Sequence, residues 1–505
     1  MKKIFALVLT AIMTVSVLSG CGKAGSGQSK KDTIVVATSS EPKSLDAHGP
    51  NDSDSTLLHH QIYDTLVKQK EDNTIAPGLA EKWEYKDDTT LTLHIRKGVK
   101  FHNGEALDAS DIIYTIKRAH GSSFSNWIVS DVDLEKTKAI DENTVEIKLL
   151  KPSGAFLSQL CFLYVVDEKT VTEAGESYEE EPVGTGPFKF VQWHRGDRIE
   201  FETNKEYWGT VPEFDKLTMR FIAESSSRAM EIESGGVDAA LRIAANDIEG
   251  LEADKNVTMI RSLGYGNTFV GFNCAKEPFN NKLLRQAISY ALDKEAIVQA
   301  VYNGIGSVAE GPLSPSIWGY NPNLKGYKQN IEKAKELLAK AGYPNGLEIT
   351  LTISDSQERV DIAEMIQNQL KQINVTVNVE SMENATYLDK IINGEFQMYI
   401  LGWSTNTGDA DYGLYEPFYT GRPAWSNTAR YSNKEVDKLL DLGRASTEEK
   451  VRLDAYYKAQ ELIVDDAPWV FLYNKEETAA INSNLEGLKS SPSGRYEFCE
   501  IKFKN

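Results

Sequence analysis

Two aspartates close the run Gly402-Trp403-Ser404-Thr405-Asn406-Thr407-Gly408-Asp409-Ala410-Asp411-Tyr412. Paired carboxylates can split a sugar bond when both face one ring about 5–10 Å apart. They can also hold the ammonium of a bound ligand, and nothing in the pattern favours cleavage over binding. Asp409 also stands where a side chain could simply cap a following helix. Other catalytic groupings are missing. There is no Gly-x-Ser-x-Gly elbow and no His-Glu-x-x-His. All seven histidines fall between His48 and His194, and His59-His60 are adjacent, so their rings diverge on a strand or a helix. A helix surface explains that pair better than a metal site. Gly184-Thr185-Gly186 and Gly304-Ile305-Gly306 lack the spacing and lysine of a phosphate loop and read as turns. Neither a catalytic group, a metal nor a cofactor is expected.

The four cysteines are Cys21, Cys161, Cys274 and Cys499. Cys21 differs from the rest in its surroundings. Lys2 and Lys3 precede a short apolar run, Ile4 to Val17, and Leu18-Ser19-Gly20-Cys21 follows. A basic start, a short apolar stretch and small residues before a cut form a secretory signal. The run is short for a membrane span, which takes about 20 apolar residues. Leu18-Ser19-Gly20-Cys21 resembles the bacterial lipobox, which implies diacylglyceryl attachment to the Cys21 sulfur after removal of residues 1–20. Ordinary secretion with a cut nearby is the alternative. The other three cysteines are odd in number and widely spread, so buried inert thiols are expected. A single bridge such as Cys161–Cys274 stays open.

The formal charge is −19, and loss of residues 1–20 removes two more lysines. Phosphate binding needs clustered Lys and Arg, so nucleic acid is not an expected partner. With 505 residues, 41% of them hydrophobic, the chain can bury more than one core, and two or more domains are expected. No later apolar stretch is long enough to span a bilayer. The expected product is a soluble monomer held outside the membrane by lipid alone.

The elements that must position the acidic run are legible around it. Residues 22–31 are rich in Gly, Ser and Lys and read as a tether. Thr33 to Thr38 reads as a buried strand, and 91–95 and 143–149 alternate as half-buried strands. Further strands are expected at 188–193, 199–203 and 216–222. Asp108 should cap a helix over 109–119. Helices are expected at 281–292, at 294 to Gly304 behind Asp293, and at 330–341. From Leu347 to Trp403 the pattern is strand 347–353, helix 357–373, strand 375–379, helix 385–393 and strand 397–401. Such alternation implies a mostly parallel sheet, with ligands bound beyond the carboxyl ends of its strands. The acidic run lies at that end, as a loop from Gly402 to Tyr412.

Several blocks then carry a family resemblance. They include Leu79-Ala80-Glu81-Lys82-Trp83-Glu84, Ile95-Arg96-Lys97-Gly98-Val99-Lys100-Phe101-His102-Asn103-Gly104-Glu105, and Asp108-Ala109-Ser110-Asp111. Val183-Gly184-Thr185-Gly186-Pro187-Phe188, Tyr207-Trp208-Gly209 and Arg430-Tyr431-Ser432-Asn433 belong with them. In order and over nearly the whole mature chain, these resemble the extracellular solute-binding proteins of the oligopeptide, dipeptide and nickel class. The resemblance implies an α/β type II periplasmic-binding-protein fold, with two lobes, a hinge and an extra subdomain in the first lobe. Lobe I would take 32–272 and 476–505, with the subdomain at about 78–182, and lobe II 273–475. The implied function is capture of a short peptide and delivery to the permease of an ABC importer.

The resemblance also implies site residues. Peptide binders of this class place an ammonium-binding aspartate where this chain has Asn406, and the loop is closer to the glutathione-binding branch. Asp409 is then the candidate ammonium partner, with Asp411 beside it. Arg359 is the candidate carboxylate partner, offset by one residue from the arginine of dipeptide binders. Its alternative is a surface pair with Asp361 or Glu358. Trp403, Tyr412 and Tyr415 could wall the pocket or lie in the core. A nickel chelate, an opine or a sugar is the alternative ligand class, and a surface hydrolase the less favoured one.

Overall fold

The computed structural model describes residues 32–50 and 52–504. The expected signal, the tether and Cys21 therefore lie outside the described residues.

The apolar, β-branched segment Thr33–Thr38 is buried along both faces, as a central strand must be. It lies parallel to Lys216–Phe221 and to Ala239–Leu241. These strands belong to one mixed sheet of eleven strands. Across it run Val375–Met382, Leu347–Ser354, Met398–Ser404, Val257–Phe272 and Trp469–Asn482. Ala239–Leu241, Thr33–Thr38, Lys216–Phe221, Arg198–Thr203 and Phe188–His194 complete the order, with Ser307–Val308 paired to Trp469–Asn482 off this path.

Leu347–Ser354 is parallel to both Val375–Met382 and Met398–Ser404, as the strand–helix alternation implies. The last of these runs further than its sequence indicates. Gly402, Trp403 and Ser404 pair with Thr268, Asn267 and Gly266, so they are strand rather than loop. Only 405–409 remain as a connection before the helix Ala410–Phe418. The backbone hydrogen bonds of a neighbouring strand outweigh the polar, turn-like character of these residues.

Caps set the helix ends. Asn281 accepts from the Leu283 amide at the start of Lys282–Ala291, and Asp293 from Ala296 at the start of Lys294–Tyr302. The latter helix closes on Asn303 in the left-handed region, φ 50°, one residue before the expected Gly304. Asparagine tolerates that conformation better than most residues. The helix beginning at Gln357 leaves the α-form at Leu370, and a 3₁₀ turn carries the chain to Ile373.

The buried side chains form separate groups. One gathers Ile34, Val36, Phe188, Phe201 and Met219 with the C-terminal Phe498 and Ile501. Others take Ile288, Ile349, Ile362 and Met398, or Leu414, Phe418, Tyr456 and Trp469. A further group lies under the antiparallel sheet Ala80–Asp87, Thr90–Ile95, Thr144–Lys148 and Lys138–Asp141. The helix Ala109–Gly121 buries Ile112 and Ile116 there, behind a capping box between Asp108 and Asp111.

Two long paired strands link these bodies. Val257–Phe272 and Trp469–Asn482 begin and end in different cores: Val257 and Ala480 in one, Val270 and Val470 in another. Their register breaks between Leu263 and Asn267 and again between Thr268 and Phe269, midway between those cores. Residue 475 falls inside the second strand.

Candidate functional site

Asp409 is buried, and its carboxylate is fully engaged. It caps Ala410–Phe418 by accepting from the Asp411 amide at 2.9 Å. Both of its oxygens accept from Arg452 Nη2, at 2.8 and 2.9 Å. The Ser158 hydroxyl donates to it at 3.3 Å. Arg452 also donates to the Gly443 carbonyl and lies 4.4 Å over the Trp318 ring. Asp411 is equally committed. Arg444 clasps it through two nitrogens at 2.9 and 2.7 Å, and Tyr456 donates at 3.3 Å. Burial would push its pKa up, but the Arg444 guanidinium outweighs burial and holds the carboxyl below its ordinary value. The four hydrogen bonds to Asp409 fill its acceptor sites and the three to Asp411 leave one, and of the two readings of Asp409 the geometry supplies the cap.

These pairs also tie the small antiparallel body to the rest. The Gly154 amide donates to the Arg444 carbonyl at 2.8 Å. A Cβ at Gly154 would collide with the Ser446 carbonyl and the Arg452 side chain, so backbone meets backbone here. Elsewhere Asn73, beside the hairpin Val67–Gln69 and Ile75–Pro77, donates to the Ser316 carbonyl and accepts from the Tyr265 hydroxyl.

Between the two ties lies a cavity of about 150 Å³. Ser404, Thr405 and Asn406 form one wall. Trp127, Phe162 and Tyr164, with Ser53 and His59, and Ser493, Gly494 and Arg495 also line the cavity. Four buried polar atoms of these walls have no hydrogen-bond partner: Trp127 Nε1, Tyr164 Oη, Thr405 Oγ1 and an Arg495 nitrogen, Nη2. Buried polar groups are nearly always paired, and each one left alone costs about 1–3 kcal/mol. Four around one void therefore mark a place built for a polar guest. Ser493 and Arg495 also line a larger cavity, of about 750 Å³, beside the hairpin and Trp208.

Of the ligand-binding candidates named from sequence, Asn406 alone lines the smaller cavity, with its amide donating to the Tyr412 hydroxyl at 3.2 Å. Trp403 and Tyr412 stand behind it. They stack at 6.1 Å, and Tyr412 meets the edge of Trp127 at 5.6 Å. Trp403 Nε1 is buried without a partner. Tyr415 lies away from the void, 3.4 Å under the Arg444 guanidinium. Arg359 sits at the start of Gln357–Leu370, beyond the carboxyl end of Leu347–Ser354. It makes no ion pair among the described residues: the Glu358 carboxylate takes the Tyr302 hydroxyl, and Asp361 takes Gln357. Arg359 Nη1 is buried with no partner, and the guanidinium approaches Gly402.

His59 corrects the expectation of a helix surface. It is buried and its Nε2 donates to the Ser44 carbonyl at 3.1 Å, because that face of Ser53–Ile62 packs inward. Burial lowers its pKa to about 4, so it is neutral. His60 instead pairs with Glu497. Cys161, Cys274 and Cys499 are free thiols, the first and last buried. Sequence reasoning missed Trp127, Tyr164, Thr405 and Arg495. Thr405 follows the singled-out Trp403. The sequence sign of Arg495 is slight, a cation after Ser491-Pro492-Ser493-Gly494 in an acidic chain.

Known proteins are similar to this chain in sequence and fold. A model of the bacterial extracellular solute-binding proteins, family 5, matches residues 74–425. The chain is 30% identical to heme-binding protein A of Haemophilus influenzae, over 96% of this chain and 97% of that one. It is 31% identical to the glutathione-binding protein GsiB of Pectobacterium atrosepticum, over 92% and 93%. Its fold superposes on the periplasmic binding protein DppA of Helicobacter pylori, solved with the peptide STSA. The TM-score is 0.78 at 29% identity, covering 94% of this chain and 98% of that one.

Proposed function

The chain belongs to family 5 of the bacterial extracellular solute-binding proteins, and from that premise we propose that it is the substrate-binding receptor of an ABC importer for short peptides, glutathione-like ones included. One observation carries this reading: four residues lining a single cavity each hold a buried polar atom without a partner. A peptide supplies the amide, carboxylate and ammonium groups that would satisfy them. Arg359 is the proposed partner of a ligand carboxylate, since its buried nitrogen has no other. Trp403 and Tyr412 stiffen the Trp127 wall, and Asn406 offers a neutral amide where an ammonium partner was expected. Asp409 and Asp411 act from behind, holding the loop that presents Thr405 and Asn406.

In this reading the two lobes meet at the register breaks of the long strands, about residues 263–269 and 471–476. Ligand binding favours the closed arrangement through contacts made to both walls. The receptor works outside the cytoplasm as a monomer, is tethered through lipid on Cys21, and hands its ligand to a membrane permease. Confinement to the membrane surface keeps its concentration high beside that partner.

The test is native mass spectrometry of protein purified without denaturation. A bound mass equal to a short peptide or thiol peptide supports the reading. A bound mass from a metal chelate or sugar, removable and rebound with no peptide competing, would overturn it.

A further inference from the structure

The charge around the smaller cavity is unbalanced. The chain as a whole carries −19, yet no Asp or Glu lines this void, and Arg495 is its one charged residue among the described ones, with His59 held neutral. Arg495 Nη1 donates to the Cys161 carbonyl at 3.2 Å, and the guanidinium lies 3.9 Å over the Phe162 ring. Nη2 is buried with no partner. The Tyr164 hydroxyl lies next to this guanidinium, whose charge and contact oppose the effect of burial on it, and neither Oη nor Nη2 has a partner in good hydrogen-bond geometry. The nearest acid in sequence, Glu497, feels the Arg495 charge across the larger cavity but makes no ion pair with it and is held by His60 at 2.8 Å. Asp409 and Asp411 are taken by Arg452 and Arg444.

The polar groups left over are therefore a guanidinium N–H, an indole N–H and two hydroxyls, all able to donate. A buried guanidinium N–H without an acceptor is costly, and a carboxylate satisfies it better than a neutral acceptor. Arg359 is a second cation with a buried, unpartnered N–H, beside Gly402. We propose that Arg495 is a specificity residue that takes a carboxylate of the ligand, so that the receptor selects peptides carrying an acidic group beyond the one assigned to Arg359. The proposal rests on the peptide-receptor reading and narrows its substrate class to acidic peptides. Phe162 fixes the plane of the guanidinium, and the Tyr164 hydroxyl adds a second donor toward the same anion.

Calorimetry on ligand-stripped protein tests this with pairs that differ by one carboxylate: Glu-Ala against Gln-Ala, Ala-Glu against Ala-Gln, with glutathione as a further acidic ligand. Hydrogen bonds to charged groups contribute about 1.5–3 kcal/mol, which corresponds to about 10- to 150-fold in Kd. At least one acidic member should bind about 10-fold or more tighter than its amide twin. Arg495→Gln should abolish that preference with little effect on the amide twin, and Arg495→Lys should keep part of it. Melting curves of both variants check folding. Equal affinity for acid and amide, or a preference that survives Arg495→Gln, overturns the proposal while leaving a peptide receptor in place. If no peptide of either kind binds, the receptor reading fails and the proposal falls with it.

Discussion

Replacing Asp409 separates two roles that its sequence position leaves open. In Asp409→Asn the carboxylate becomes an amide of nearly the same shape. The cap on Ala410–Phe418 can survive, because an asparagine oxygen also accepts from a backbone amide. The interaction with Arg452 cannot, since one charge of a pair with 4% and 8% side-chain exposure disappears. Breaking such a buried pair from one side costs about 3–5 kcal/mol. For a cooperative unit of about 200 residues this lowers Tm by about 7–12 °C. Calorimetric melting of the variant measures that loss, and titration at a temperature where it is folded measures ligand affinity. The expected result is a large fall in Tm with Kd within about threefold of wild type. Arg452→Met in the same background should restore part of the loss, because it removes the stranded cation. A variant that melts like wild type but binds its ligand 100-fold more weakly would make Asp409 a ligand partner and refute the structural role.

Gly154→Val should push the small antiparallel body off the Ser446 carbonyl, weakening ligand binding about 10-fold or more by calorimetry; unchanged affinity would show that this contact does not hold the cleft closed. Arg359→Met should raise Kd about 10-fold for peptides with a free C-terminal carboxylate and leave C-terminally amidated ones nearly unaffected. Acid should destabilise the fold through His59, whose pKa is lowered by burial from 6.5 to about 4 against the opposing fields of Asp46 and Asp52. The unfolded chain then binds the extra proton, so this contribution is complete above pH 6.5 and is lost toward pH 4, about 2 kcal/mol of it by pH 5. His59→Gln should flatten the fall in Tm between pH 7 and 5, and an unchanged slope would place the acid sensitivity elsewhere. Burial raises the Cys161 thiol to about 12, so a thiol reagent should label it only on unfolding; rapid labelling of the native protein would contradict its burial.

The alternating segment from Leu347 to Met398 could be read from sequence because its periodicities are local, and Asn281, Asp293 and Asn330 marked helix starts by chemistry that acts within one turn. Strand Met398–Ser404 was longer than its pattern because pairing with Gly266–Thr268 comes from a distant segment. The same limit governed the site. Asn406, Trp403 and Tyr412 stood out through one short segment, and in the fold Asn406 lines the smaller cavity, bonds to Tyr412 and leaves Trp403 stacked on that ring. What Asp409 and Asp411 do depends on Arg452 and Arg444, more than 30 residues away, so sequence left their partner open. Arg495 and the segment from Cys161 to Tyr164 are far apart in the sequence and meet only through the fold.

The capture of a peptide is tested most directly by melting the ligand-stripped protein with di- to pentapeptides and glutathione. A ligand that binds only the folded state at 100 times its Kd adds about 2.7 kcal/mol. A concentration-dependent rise in Tm with at least one acidic peptide is the expected result. No shift with any peptide, at concentrations up to several millimolar, would contradict a peptide receptor.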